Sequence, residues 1–297
     1  MALPQTGIFA LGTIAHSYLE LSITPGADLR SVGAAMAGIS ESRTTMGAVN
    51  IVVGFRPEMW RSLRPNRCPD GLAGFNAPVV GPDTFEMPAT QQDVFVWISG
   101  GSYDAVFDAV VGVTTALEGL ASVVEETTGW TYHRDLDLTG FIDGTENPSL
   151  AKAAHLVVIP DGAPGRGGCV LLFQKWAHDT AAWTGLSVAE QQKVIGRTKA
   201  NSVELADRPE SSHVARTDQE DFGDIFRRNT AYGSPQDHGT VFVGFAATQQ
   251  PLAATLDSMA GIGGIRDALT RFTRPLTGAY YFVPASDDLS GLGKSAD

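Results

Sequence analysis

The feature that most constrains the fold of this chain is a strand–turn–helix pattern that occurs twice. Residues 93–112 (DVFVWISGGSYDAVFDAVVG) and residues 239–259 (GTVFVGFAATQQPLAATLDSM) each begin with an apolar run of strand length. Each run continues through a turn into apolar residues near helical spacing, which predicts a helix. Such a segment is half of a β-α-β-β-α-β unit, so the sequence predicts two of these units, joined near residue 135.

The other segments supply the remaining strands and helices of both units. Strands are predicted over residues 14–23, 49–55, 93–99, 122–133, 156–160, 169–176, 240–247 and 278–284, and helices over residues 28–42, 103–120, 187–198 and 252–259. A chain of 297 residues has room for about two domains. We therefore expect an α+β fold with a first domain over residues 1–135 and a second over residues 136–297.

Charge and cysteine content argue against several classes of protein. The 21 Lys and Arg residues against 33 Asp and Glu residues give a net charge of −12, which disfavours nucleic acid as a partner. Two cysteines, Cys68 and Cys169, are too few for a disulfide framework or a thiolate-bound metal cluster. No apolar run reaches the ~18 residues of a membrane-spanning helix. No basic residue precedes the first apolar stretch, so the predicted location is the cytoplasm.

Residues 138–149 (LTGFIDGTENPS) carry the clearest chemical signal in the chain. Asp143 lies in a predicted turn beside the apolar residues Phe141 and Ile142, where loss of solvent would raise its pKa and suit it to proton transfer. The competing interpretation is that Asp143 merely caps the turn together with Asn147. From spacing alone, the capping interpretation is favoured.

The same segment resembles a motif of a known family. GFIDGTENP, at residues 140–148, resembles the GxxDG signature of the dye-decolorizing (DyP-type) heme peroxidases. Four more segments resemble family segments in the family's order: MPATQQDVFVW at 87–97, VIGRTK at 194–199, SSHVAR at 211–216 and IFRRNTAYG at 225–233. The resemblance covers almost the whole chain and is to the compact, B-type bacterial members.

The resemblance implies a fold and a cofactor. Family members have tandem ferredoxin-like domains with antiparallel sheets, and heme b is bound at the C-terminal domain. His213, in SSHVAR, is then implied to be the axial ligand of the heme iron. Composition does not choose among the six histidines, and His238 is the main rival because it also lies in a loop just before a predicted strand. Asp267 is a candidate hydrogen-bond partner for the His213 imidazole.

The resemblance also implies the catalytic groups. Asp143 matches the Asp of GxxDG, and Arg227 and Asn229 match the Arg and Asn of the family's segment at 225–233. Arg228 is the adjacent alternative to Arg227, and on a strand its side chain would point the other way. Asp143 would move a proton between the two peroxide oxygens, and Arg227 would stabilise the negative charge that develops there. The residues implied to contact heme, besides His213, are Ile142, Gly144, Thr145, Glu146, Arg227 and Phe242.

The function implied by the resemblance is that of a heme b peroxidase. Such an enzyme reduces hydrogen peroxide through compound I and oxidises dyes, phenols and other small aromatic one-electron donors. The alternative is a non-enzymatic protein of the same superfamily that binds heme or handles its iron. A homo-oligomer is also expected. The tail LSGLGK, at residues 289–294, is similar to the Leu/Gly tags that direct some family members into encapsulin shells, so such a shell is a predicted partner and compartment.

Overall fold

Strands and helices alternate along both halves of the chain in this computed structural model, which describes residues 2–39 and 49–293. The strands are β1 Ala15–Ile23, β2 Asn50–Phe55, β3 Val79–Val80, β4 Glu86–Met87, β5 Val94–Gly100, β6 Ala121–Trp130, β7 Cys169–His178, β8 Phe226–Arg227, β9 Thr230–Gly233, β10 His238–Ala246, β11 Thr273–Pro275 and β12 Ala279–Val283. The α-helices are α1 Leu29–Ile39, α2 Pro57–Leu63, α3 Tyr103–Ala116, α4 Leu150–Leu156, α5 Thr180–Thr184, α6 Val188–Ile195, α7 His213–Arg216, α8 Gln219–Phe222, α9 Gln249–Ala260 and α10 Ser286–Ser290. Short 3₁₀ segments lie at Thr6–Phe9, Pro65–Arg67, Ala268–Arg271 and Gly291–Gly293.

The long strands form two antiparallel sheets of the same topology. The spatial order is β2-β5-β1-β6 in the first sheet and β9-β10-β7-β12 in the second. Numbered by chain order within each sheet, with β8 and β9 together as the second strand, both orders are 2-3-1-4. This is the strand order of the ferredoxin-like β-α-β-β-α-β unit. The predicted α+β fold with two ferredoxin-like halves is therefore confirmed.

The two sheets also pair with each other at both edges, so that their strands close into a ring. β6 pairs with β9 through Gly129–Tyr232 and Trp130–Ala231. On the other side, β2 pairs with β12 at a single position. The two halves of the chain therefore share one continuous hydrogen-bonded framework rather than meeting only through side chains.

Buried residues pack on both faces of this ring. Because consecutive strand residues point to opposite faces, each strand contributes to two different clusters. Inside the ring lie mostly aromatic and β-branched side chains, including Tyr18, Trp97 and Phe173. Outside it, residues such as Leu19 and Leu172 pack with residues of α1, α3 and α9. The outer face of the second sheet, under α9, is where the candidate site lies.

One predicted element is wrong. The strand predicted over residues 156–160 does not form; α4 ends at Leu156, and the residues after it have no regular structure. The segment LAKAAHL is rich in strong helix formers, and Pro160 has no N–H for a ladder hydrogen bond, so helix followed by loop is favoured there. The other predicted strands and helices are present with shifted ends. Helix 28–42 is Leu29–Ile39 as far as it is described, and residues 40–42 lie outside the described residues.

Candidate active site

A cavity lies on the outer face of the second sheet. One wall is the face of β7 and β10 that carries Leu172, Gln174 and Phe242, and the other is formed largely by α9 and α7. Five of the residues predicted from the sequence line this cavity: Asp143, His213, Arg227, Asn229 and Phe242.

His213 is the first residue of α7, and a buried carboxylate holds its imidazole. Nδ1 donates a hydrogen bond of 2.6 Å to Asp267 Oδ2, and Asp267 has no exposed surface. Asp267 is fixed in turn, because its Oδ1 accepts from the Leu269 N–H at 2.8 Å. With Nδ1 donating, the other ring nitrogen, Nε2, makes no hydrogen bond to any described residue. A carboxylate behind one nitrogen and a free second nitrogen is the usual arrangement of a metal-binding histidine.

The electrostatic surroundings of His213 favour its charged form. Burial alone lowers the pKa of His213, but the ion pair and hydrogen bond with Asp267 outweigh it, so the net shift is upward. Arg227 opposes this shift and Asp137 supports it. A metal ion at Nε2 would displace the proton while Asp267 kept the ring oriented.

A second histidine, His178, also lines the cavity, whereas His238 does not. His178 Nε2 is 3.1 Å from Thr240 Oγ1, and burial, with a smaller effect of His238, lowers the pKa of His178 to about 4. His238 is bonded to the Thr180 hydroxyl and the Ser234 carbonyl near the surface. Among the described histidines, His213 alone combines a carboxylate partner with a nitrogen facing the cavity.

The two adjacent arginines point to opposite sides of the sheet. Arg227 lines the cavity, and its buried Nε has no hydrogen-bond partner among the described residues. Arg228 instead donates to the carbonyls of Ile8 and Ala10 at 2.7 and 2.6 Å, and its guanidinium lies over the Trp97 ring. The strand geometry therefore places Arg227, not Arg228, in the cavity wall.

The signature turn is fastened directly to the strand that carries Arg227. Asn147 donates from Nδ2 to the Arg227 carbonyl at 2.9 Å, and its Oδ1 accepts from the Arg227 N–H at 2.9 Å. Asp143, four residues earlier in the same turn, lines the cavity. Asn147 thus does not cap Asp143 but connects the turn to β8, which sets the position of Asp143 relative to Arg227.

Asn229 completes the polar part of the sheet wall. Its Oδ1 accepts a hydrogen bond of 3.2 Å from the Val243 N–H. Because the amide oxygen is used in this way, the NH₂ group is left to face the cavity. The wall therefore offers a guanidinium, an amide donor and a carboxylate around one space.

Four predicted cofactor-contact residues, Ile142, Gly144, Thr145 and Glu146, do not line the cavity. Ile142 forms a β-bridge with Leu136, and Gly144 has a φ of +73°, which the tight turn requires. Thr145 and Glu146 face other partners: the Ser202 hydroxyl at 2.7 Å and the Arg197 guanidinium at 2.6 Å. In this structure these residues shape the turn, and their contact with a cofactor stays a prediction.

The sequence does not single out several of the lining residues, and two of them, Asp137 and Gln174, carry polar groups of consequence. Asp137 lines the cavity, and its Oδ1 accepts from both the N–H and the hydroxyl of Thr139. Burial, and next the nearby Asp143, raise the pKa of Asp137 to about 6. Gln174 is the other, a buried amide in the middle of β7. Asp137 is one of three aspartates within HRDLDLTGFID, and Gln174 is a single polar residue in a predicted strand. Neither pattern is distinctive enough to identify a site residue from one sequence.

Comparison with known proteins agrees with the motifs. The family model for the N-terminal part of Dyp-type peroxidases matches residues 22–131, and the model for the C-terminal part matches residues 134–288. A dye-decolorizing peroxidase of Rhodococcus erythropolis is 34% identical over 305 residues, covering 97% of this chain and 88% of the relative.

Solved structures show the same likeness. DyPB from Rhodococcus jostii RHA1 superposes with a TM-score of 0.89 at 33% identity, covering 98% of each chain. A DypB variant from the same organism, in complex with heme, matches with a TM-score of 0.89 at 33% identity, covering 98% of this chain and 99% of the other. With both family models matched in order across nearly all of its length, this chain belongs to the Dyp-type peroxidase family.

Proposed function

We propose that the protein is a heme b peroxidase that reduces hydrogen peroxide and oxidises dyes, phenols and other small aromatic one-electron donors. The observation that carries this proposal is the pairing of His213, held by Asp267, with Arg227 and Asn229 around one cavity. A non-enzymatic heme carrier has no need of a cation, an amide and a carboxylate at the cavity wall. No observation favours that alternative.

The residues of the cavity fit a heme group. The cavity lining combines apolar side chains, such as Leu252 and Phe242, with a small number of polar groups. His213 presents a free imidazole nitrogen, and Arg227 presents a buried Nε–H that lacks an acceptor. The heme complex of the DypB variant supports the same cofactor here. When bound, heme supplies a redox-active iron, and the protein supplies binding, orientation and electrostatics.

The polar side chains around the cavity have separate roles in the reaction with peroxide. The Asp143 carboxylate can take the proton from one peroxide oxygen and deliver it to the other, which prepares that oxygen to leave as water; the two electrons that break the O–O bond would be supplied by bound heme. The Arg227 guanidinium, fixed by Asn147 through its backbone, stabilises the negative charge on the separating oxygens. The Asn229 NH₂ group orients the peroxide. His213 would hold the iron through Nε2, and Asp267 keeps the His213 ring in place.

Several finer predictions belong to this proposal. The likeness to DypB supports assignment to the B-type members. The domain boundary near residue 135 is supported by its position between β6, which ends the first sheet, and β7, which begins the second. No described helix is long and apolar enough to cross a bilayer. The homo-oligomer is kept as an expectation that follows from the resemblance, and the cytoplasmic location as one that follows from the lack of a basic residue before the first apolar stretch.

Part of the tail predicted to bind an encapsulin shell is packed against the rest of the protein. Leu289 of the LSGLGK tail is fully buried, and Leu292 packs against Gly33 of α1. Binding of this segment by a shell protein would therefore require both leucines to leave the body of the protein. Co-expression with a shell protein, followed by comparison of loading for the parent and for Leu292→Ser, tests this prediction, because a tag depends on Leu292.

Substitutions at the cavity test the proposed function. His213→Ala should lose the visible spectrum of histidine-bound heme, whereas His238→Ala, a matched change outside the cavity, should retain it. Asp143→Ala and Arg227→Ala should both keep heme but react with peroxide at least tenfold more slowly in stopped-flow measurements. Retention of a histidine-ligated spectrum in His213→Ala, or parental peroxide rates in both cavity-wall variants, would contradict the assignment.

A further inference from the structure

Gln174 carries a buried amide whose orientation can be assigned from its neighbour. The Trp176 Nε1–H is 3.3 Å from Gln174 Oε1, and an indole nitrogen only donates. The amide oxygen therefore faces Trp176, and the NH₂ group points away from it. That group, Nε2, is buried and has no hydrogen-bond partner among the described residues, although Gln174 as a whole is only 1% exposed and lines the cavity.

Among the described residues, no polar group of the adjacent wall accepts a hydrogen bond from this NH₂ group. Phe242 lies directly opposite Gln174 in the β7–β10 register and is apolar. The next polar side chains along the wall are those of His178 and Thr240, and they are hydrogen-bonded to each other at 3.1 Å. Arg227 pairs with Gly244, two residues further along β10, and is itself a donor. A buried donor without an acceptor is unfavourable, and native proteins rarely retain one unless a bound molecule completes it.

We propose that the Gln174 NH₂ group donates a hydrogen bond to an acceptor oxygen of the molecule that fills the cavity. Gln174 thereby forms a second polar contact point on the sheet wall, separated by Phe242 from the Asp143, Arg227 and Asn229 group. The inference rests on the proposed function, because that molecule is heme or a small ligand beside it. Two sources share this chemistry: a carboxylate of the porphyrin, and an oxygen or fluoride ligand held on the open side of the iron.

The first test uses the protein without heme. Gln174→Leu removes an unpaired donor together with the 3.3 Å acceptor of the Trp176 Nε1–H, so the two effects oppose each other and its unfolding temperature should change less than that of the control. Gln191→Leu is the matched control: Gln191 is also a buried glutamine, but its amide is fully engaged with the Trp183 carbonyl at 3.0 Å and the Lys199 ammonium at 2.7 Å. The control should unfold at a lower temperature. Equal destabilisation of both variants would mean that the Gln174 NH₂ group has a protein partner, which overturns the inference.

The second test identifies the acceptor. Heme b and its dimethyl ester are each titrated into three heme-free proteins: the parent, Gln174→Leu and Gln174→Glu. The heme-loaded proteins are then titrated with fluoride. If the acceptor is a porphyrin carboxylate, Gln174→Leu binds heme b about tenfold more weakly and Gln174→Glu weaker still, and the loss is smaller for the ester, whose carbonyl oxygen accepts a hydrogen bond but carries no charge. If it is the small ligand, heme affinity stays within threefold of the parent and fluoride binds about tenfold more weakly.

Two results contradict the inference. One is heme and fluoride affinity within threefold of the parent in Gln174→Leu. The other is an equal loss for heme b and its ester with unchanged fluoride binding, which is the pattern of altered packing. The proposed function is judged separately, from the heme binding and peroxide reaction of the parent protein, so the two proposals fail independently.

Discussion

Two carboxylates near the cavity, those of Asp267 and Asp137, differ in the charged and hydrogen-bonding groups around them. Asp267 faces His213 and is held by the Leu269 N–H, so its negative charge has partners on both oxygens. Asp137 lies near the like charge of Asp143, and Thr139 and His213 stabilise its charged form only in part. The first carboxylate serves as a fixed anion behind the imidazole, whereas the second holds its proton up to nearly neutral pH.

The raised pKa of Asp137, about 6, predicts a pH-dependent loss of stability. Because this pKa lies above that of the unfolded chain, the folded protein keeps a proton that the unfolded chain has lost between about pH 4 and pH 6. The contribution of Asp137 to stability therefore falls as pH rises through this window. In the heme-free protein, Asp137→Asn should raise the free energy of unfolding at pH 7 by about 1–3 kcal/mol and leave it unchanged at pH 4.

Urea unfolding at both pH values measures this difference. Asp135→Asn is the control, because Asp135 lies two residues away in the same segment but is exposed. It should give the same stability as the parent at both pH values. A gain for Asp137→Asn that is equal at pH 4 and pH 7 would show that packing, rather than the proton, is responsible.

At the scale of elements, the position of His213 depends on how α6 ends. α6 closes at Gly196, which has a φ of +96°, and a Cβ at that position would lie 2.8 Å from Ser212 Oγ. Ser212 is the N-cap of α7, and the next residue is His213. A change at the end of α6 is therefore transmitted through Ser212 to the imidazole that is proposed to hold the iron.

Gly196→Ala should weaken both folding and heme binding. The left-handed backbone disfavours alanine, and the new methyl group must displace Ser212, which together should destabilise the heme-free protein by about 1–3 kcal/mol. Heme affinity should fall as well, because His213 moves with Ser212.

Ser187→Ala is the control at the other end of α6: it removes a capping box and should destabilise the protein by about 1 kcal/mol. Chemical denaturation and heme titration of both variants give the comparison; an equal loss of heme affinity in the two would rule out transmission through Ser212.

How far the sequence predicts the site depends on which element holds each residue. Alternation along a strand separates Arg227 from Arg228 once the strand is assumed, and the structure places them on opposite faces as expected. Gln174 escapes the same reasoning because its strand is buried on both faces, so alternation gives no contrast between them. The apolar β-branched residues at 157–159 favour a strand over residues 156–160, but the preceding helix and Pro160 decide the structure.

For the whole molecule, the closed ring of strands predicts a single unfolding transition. Each sheet completes its edge hydrogen bonds with the other, so neither half is expected to keep its structure after the other unfolds. Gly129 lies at the β6–β9 joint, where a Cβ would clash with the Thr230 hydroxyl and would lie 3.1 Å from the Ala231 carbonyl. Gly129→Ala should therefore lower the stability of both halves together, by about 1–3 kcal/mol.

Far-UV circular dichroism and tryptophan fluorescence of the heme-free protein should follow the same urea curve in both the parent and this variant. Gly112→Ala is the control: Gly112 lies within α3 with nothing within 4 Å of an added Cβ, so alanine should raise stability by up to about 1 kcal/mol. Two separate transitions in the parent would show that the halves are independent folding units.

The net charge of −12 determines how donors approach the molecule as a whole. At low ionic strength its field extends about 30 Å from the surface, and at 0.15 M salt it is screened within about 8 Å. For the proposed peroxidase near pH 7, kcat/KM for an anionic dye should therefore rise about threefold to tenfold between 0.01 and 0.15 M salt. The value for a cationic donor should fall by a similar factor, and a neutral phenol serves as the control. A fall in the rate with the anionic dye as salt is added would contradict this prediction. It would mean that a local cluster of basic residues at the point of electron transfer outweighs the net charge of the chain. That cluster, and not the net charge, would then determine which donors react.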